Sequence, residues 1–150
     1  MRINIEDIKK LREKTGAGVS DCREALEESD GNLNRAEEIL QKKGIEKAAK
    51  KTDREVKAGA VFSYVHHTGR LGSMVAVACE TDFVAKTDDF LKLGKGLAMQ
   101  VASARPQTVE NLLDGEYIRD PARKVSDVIK EVIGKLGENV QVVDFSVMVV

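Results

Sequence analysis

The side chains best suited to chemistry collect in the middle of this sequence: His66 and His67 side by side, then Cys79, Glu80 and Asp82. Two imidazoles, a thiol and two carboxylates are the ingredients of a metal site or of a nucleophile with its base. Their spacing argues against both. Neighbouring residues of a strand point to opposite faces, so His66 and His67 are expected to look away from each other rather than grip one ion. Cys79 is followed by Glu80, whose charge raises a thiol pKa and keeps the thiolate scarce. A phosphate-cradling glycine loop, a dinucleotide fingerprint and a nucleophile elbow are all missing from the sequence. The expectation is a protein that is not an enzyme, with no catalytic, metal or cofactor residue.

The segment from Cys79 to Lys86 holds more promise. It joins a β-rich run to a helical one, and binding residues concentrate in such connections. Thr81 is suited to cap a short turn that leaves Asp82 and Phe83 at its tip. Two uses of that tip are open: Phe83 plugs the core above the strands with Asp82 as a cap, or the pair protrudes as a wedge for another protein's surface.

Positioning these residues falls to a chain of 150 residues that is 42% hydrophobic and 33% charged, enough for one domain or two small ones. Aromatics make up only 4%, too few for a face on which single-stranded nucleic acid stacks. A formal charge of −1 provides no global field for DNA or lipid. Cys22 and Cys79 form no CxxC and are too few for a disulfide framework, which fits reduced thiols in a cytoplasmic protein. The opening residues are charged throughout rather than signal-like, and no run approaches the ~20 apolar residues of a membrane span.

Residues 1–45 read as three short helices. Asn4 caps the first, with Ile5, Ile8 and Leu11 as its apolar stripe and Gly16-Ala17-Gly18 as its end. Ser20 is expected to cap the second, which buries Cys22, Ala25 and Leu26. Asn32 caps the third, with Leu33, Ala36, Ile39 and Leu40 inward and Gly44 as the stop. Residues 46–58, with Lys47, Lys50 and Lys51, have little apolar face and read as a connecting arm. Residues 59–150 read as an α+β module. Ala60 to His66 and Ser73 to Cys79 form a hairpin. Thr87 caps a long helix that Pro106 stops, Thr108 to Leu113 supply another turn or two, Lys124 to Leu136 form a last helix, and Val140 to Val150 a last strand. The expected fold is therefore a small antiparallel three-stranded sheet with helices on one face. Met74 to Cys79 and Val147 to Val150 are apolar on both faces, whereas a half-wet strand alternates. A homodimer through the sheet face follows as an expectation.

Thr81-Asp82-Phe83-Val84-Ala85-Lys86 resembles the signature of bacterial elongation factor Ts. So do Leu11-Arg12-Glu13-Lys14-Thr15-Gly16-Ala17-Gly18, followed by Asp21-Cys22 and Ala25-Leu26-Glu27, and the late Gly137-Glu138-Asn139-Val140. The resemblance implies a ubiquitin-associated-like three-helix domain docking on elongation factor Tu, and a guanine nucleotide exchange factor that acts on Tu carrying GDP. It implies that Phe83 wedges beside the nucleotide pocket and Asp82 disturbs the groups holding Mg²⁺. Thr81, Val84, Lys9, Arg12, Val19 and Lys51 match further partner-binding positions.

Three departures qualify the match. Many relatives carry two methionines where this chain has Val19-Ser20, and Arg-Arg-Phe where it has Val143-Asp144-Phe145. Longer relatives carry extra helical material where only Pro106 to Asp120 stands here, and in two-lobed ones the second lobe supplies a partner sheet. The alternatives are a non-exchanging adaptor built on the ubiquitin-associated-like module, and RNA binding through the basic arm.

Overall fold

In the computed structural model, which describes residues 3–150, the chain divides into two units, Met1–Lys47 and Ala48–Val150. The first consists of helices whose ends are written locally. α1 (Ile5–Thr15) begins on Asn4, whose side chain accepts the Glu6 N–H, and stops where Gly16 turns left-handed. α2 (Val19–Glu28) follows, then α3 (Leu33–Ala49), where Asn32 accepts the Arg35 N–H. Leu11, Cys22, Ala25, Leu26, Ala36 and Leu40 close over one another as the core of this unit.

Three local expectations fail here. Ile5 is exposed on the opening turn, while Leu11 carries the burial. Gly18, not Ser20, is the N-cap of α2, and no side chain caps that helix. α3 runs through Gly44 to Ala49. A glycine inside a helix costs about 1 kcal/mol relative to alanine, but Ala48, at the far end, is fully buried in the core of the second unit, and that burial favours continuation.

The second unit contains β1 (Ala58–Val65), β2 (Leu71–Cys79), the short α4 (Asp82–Ala85), α5 (Asp88–Ala104), α6 (Val109–Asp114), β3 (Glu116–Tyr117), β4 (Asp120–Lys124), α7 (Val125–Leu136) and β5 (Val140–Val149). The main sheet is antiparallel in the order β1-β2-β5, and β3-β4 is a separate two-stranded hairpin. The fold is thus α+β, as expected, with one hairpin the sequence did not reveal. Residues 114–124 are charged and contain Pro121, so no strand pattern stands out. Gln100, buried on α5, sets them in place: its amide donates to Glu116 O at 2.9 Å and accepts from Ile118 N at 2.8 Å.

The inner face of the sheet, with Phe62, Val75, Val77 and Cys79, packs with Phe90, Leu93, Leu97 and Val101 of α5 and Val125, Ile129 and Ile133 of α7. Close approach requires Gly94, because a Cβ there would stand 2.2 Å from the Phe62 ring. Gly59 is likewise obligatory: its φ is 147° and a Cβ would meet Val77 O at 2.2 Å. The outer face leaves Val61, Val65, Met74 and Met148 exposed, and Val143 is exposed in the β5 bulge.

Candidate functional site

β2 and β5 end their ladder on the pair Cys79 and Val140. Extended by the same register, the next pairs would be Glu80 with Asn139 and Thr81 with Glu138. The backbone does not continue, yet the donors are satisfied. Glu80 Oε2 accepts the Asn139 N–H at 2.6 Å, and Glu138 Oε1 accepts the Thr81 N–H at 2.9 Å. Each carboxylate takes over the acceptor role a carbonyl would have filled. Glu138 also accepts the Thr81 hydroxyl proton through Oε2 at 2.7 Å, so it grips that residue twice. Such charge-assisted bonds are the stronger class of hydrogen bond.

From this anchor the chain turns into α4. Thr81 is its N-cap, with Oγ1 accepting from Val84 N–H at 3.3 Å. Val84 is 5% exposed and joins the core, which pins the turn from below. Phe83 is left pointing out at 83% exposure, with Asp82 exposed beside it. The ring therefore does not plug the core, and the pair protrudes from the surface. Beneath the turn, Cys79 is buried and its Sγ donates to Thr81 O at 3.2 Å. Burial pushes this thiol above the usual range, and the negative charge of Glu138 adds to it. That environment suits structure rather than nucleophilic work.

A second layer holds the anchor. Asn139, buried, donates through Nδ2 to Arg54 O at 2.8 Å and to Thr52 O at 3.3 Å. Arg54 reaches back to Gly137 O at 3.3 Å and lies 3.7 Å from Glu80 Oε2. Lys51 belongs to the same corner, its Nζ 3.9 Å from where a Cβ on Gly137 would stand. Sequence reasoning gave Arg54, Glu138 and Asn139 no role in the site, and weighed Glu80 for catalysis rather than as a brace. The Gly137-Glu138-Asn139-Val140 motif was the available signal for two of them.

Of the residues singled out from the sequence, Thr81, Asp82, Phe83, Val84 and Lys51 thus share one corner of the second unit. Thr81 is engaged by Glu138 and Val84 faces the core, which leaves Asp82 and Phe83 exposed at the tip of the turn. Lys9, Arg12 and Val19 belong to the three-helix unit and are exposed there, Lys9 with its Nζ 3.8 Å from Glu6.

The two histidines behave differently from expectation. β1 stops at Val65, so strand alternation no longer applies, and the rings of His66 and His67 lie 4.1 Å apart at 40°. His66 Nδ1 is engaged with Thr68 Oγ1 at 2.9 Å. Among the described residues, no group of three or more His, Cys, Asp or Glu is placed to hold a metal ion, and no helix is long and apolar enough to cross a membrane.

These features define a two-unit α+β protein with an exposed acidic-aromatic turn braced by the ends of two strands. Comparison with known proteins agrees with this outline. The family model for elongation factor TS matches residues 80–150, which contain the turn and its anchor. Elongation factor Ts of Fervidobacterium nodosum is 44% identical over 144 residues, covering 96% of this chain and 72% of that protein. The Thermotoga neapolitana protein of the same name is 39% identical over 189 residues, covering 97% of this chain and 96% of the relative, and that of Petrotoga mobilis is 38% identical with 97% of each covered. The chain belongs to the elongation factor Ts family, and so to the translation elongation factors.

Proposed function

We propose that this protein is a guanine nucleotide exchange factor: it binds elongation factor Tu carrying GDP and speeds GDP release by inserting Asp82 and Phe83 beside the nucleotide and its Mg²⁺. The observation that carries the proposal is the 83% exposure of Phe83 on a turn fixed at both ends. A chain with four phenylalanines leaves one in water, where burying it would stabilise the fold by about 1.5–3 kcal/mol. A partner's pocket recovers that energy. Mg²⁺ neutralises the phosphates of a bound nucleotide, so a carboxylate such as Asp82 that disturbs its surroundings loosens the GDP.

Exchange requires no catalytic base, and no covalent bond is made or broken. What it needs is a negative coupling between nucleotide and exchange factor on the same GTPase, and linkage makes that coupling reciprocal. Lys9, Arg12 and Val19 dock the three-helix unit on the GTPase. Lys51 adds a cation beside the wedge, while Thr81 and Val84 contribute by seating the turn. The test is release of labelled GDP from elongation factor Tu. The rate is expected to rise with added protein and saturate, and a rate independent of the protein would leave only an adaptor.

The outer face of the sheet is proposed to be covered by a second copy of this chain. Val61, Val65, Met74 and Met148 lie exposed on one face of three paired strands, a larger grouping than scattered surface apolar residues. Light scattering at micromolar concentration is expected to give the mass of two chains, and the mass of one would rule the dimer out.

A further inference from the structure

Glu138 lies 57 positions from Thr81 in sequence, yet its carboxylate makes two of the hydrogen bonds that fix the start of the Asp82–Phe83 turn. Another is the cap, in which Val84 N–H donates to Thr81 Oγ1. These bonds converge on one residue. Glu138 orients the Thr81 hydroxyl by accepting its proton, which leaves an oxygen lone pair aimed at Val84 N–H. Remove the carboxylate and the Thr81 N–H loses its acceptor, while the hydroxyl is released from the rotamer that caps α4. A four-residue helix has no internal reserve to hold its shape without a cap.

The backing of Glu138 is equally specific. Its neighbour Asn139 is buried and tied to the backbone at Thr52 and Arg54, and the Asn139 N–H is held by Glu80. The two carboxylates cross: Glu80, just after β2, reaches to the residue before β5, and Glu138 reaches from that segment back to Thr81, two residues after β2. Position 138 therefore cannot drift relative to position 81. From this arrangement we infer that Glu138 is the positioning residue of the wedge: it sets the direction in which Phe83 projects without touching the partner's nucleotide.

This inference rests on the exchange reading, and the test separates the two. Labelled-GDP release from elongation factor Tu is measured against concentration of the full chain. The measurement yields a maximal rate and a half-saturating concentration for Phe83→Ala, Glu138→Ala, Glu138→Gln and the double variant Phe83→Ala/Glu138→Ala. Glu138→Ala is expected to lower the maximal rate about tenfold, the worth of one charge-assisted hydrogen bond, with half-saturation moved less than about threefold. Glu138→Gln keeps an acceptor for Thr81 N–H but sets a donor NH2 against the Thr81 hydroxyl, and is expected to recover part of the rate. In the Phe83→Ala background, Glu138→Ala should add little, because a wedge without its ring gains nothing from being aimed.

Thermal melts and amide exchange at Thr81 and Val84 accompany the kinetics, so a variant that fails to fold is recognised, and Glu138→Gln then carries the comparison. If Phe83→Ala slows release but Glu138→Ala and Glu138→Gln do not, the positioning role is wrong and the wedge stands. A Glu138→Ala effect that adds fully to Phe83→Ala also overturns it, as does one that Gln does not relieve. If Phe83→Ala itself leaves release unchanged, the exchange reading fails first.

Discussion

Replacing Phe83 by alanine separates a ring that serves the fold from one that serves a partner. The structure sets both magnitudes. With 83% of the residue exposed, the fold has little to lose: a surface substitution away from special features stays within about 0.5 kcal/mol. For a domain of this size that moves Tm by no more than about 1–2 °C. The same exposure means that nearly the whole burial energy of the ring, about 1.5–3 kcal/mol, is available on docking. If that energy is realised only in the complex whose nucleotide is loosened, its loss slows GDP release by about 10- to 150-fold. Half-saturation should change far less, because contacts of the three-helix unit are untouched. The assay is stopped-flow release of fluorescent GDP from elongation factor Tu at several concentrations of the variant, with a thermal melt alongside. Unchanged release at saturation would refute the wedge. A fall in Tm of more than about 5 °C would refute the premise that the ring is outside the core.

Other outcomes follow from the packing and the charges. Gly94→Ala places a Cβ against the Phe62 ring, itself 5.7 Å from Phe90 in the core, and such overpacking is expected to cost about 1–3 kcal/mol by denaturant titration. Gly96→Ala comes closest to the hydroxyl end of Tyr117, 2.2 Å away, rather than to the middle of a ring, and should cost less. Burial raises the Cys22 and Cys79 thiols above 9.0 in the folded chain. Above that pH the unfolded thiols lose protons that the folded ones keep, so stability is full below pH 9 and falls as pH rises beyond it. Urea midpoints measured from pH 7 to 10 check the sign, and Ala at both positions should flatten that part of the slope. Met74→Lys puts a charge in the middle of the exposed sheet face and is expected to give the mass of a single chain by light scattering, with little change in Tm.

Much of the fold is local and was legible. Asn4, Asn32, Thr81 and Thr87 all cap the helices that follow them, because a cap bonds to an amide two or three residues on. The hairpin followed from period-two runs flanking glycines. Local rules failed where burial elsewhere decided the outcome. α3 passes Gly44 to bring Ala48 into a core, and residues 116–124 pair as strands because a buried glutamine from α5 holds them. Ser20 lost its expected role when the chain entered α2 two residues earlier, at Gly18.

The site divides in the same way. Its residue types, Thr81 through Lys86 and Gly137 through Val140, were evident from the sequence, as was the choice of Thr81 for a cap. Whether Phe83 faced the core or the solvent was not, since an aromatic next to a strand end satisfies either pattern. Tertiary structure decided it by burying Val84 and bringing Glu138 across to Thr81. Sequence alone thus determined the elements and the chemical character of the turn, because caps and periodicity act over a few residues. Only the fold determined its direction, because the groups that aim it come from the ends of two strands separated by most of the second unit.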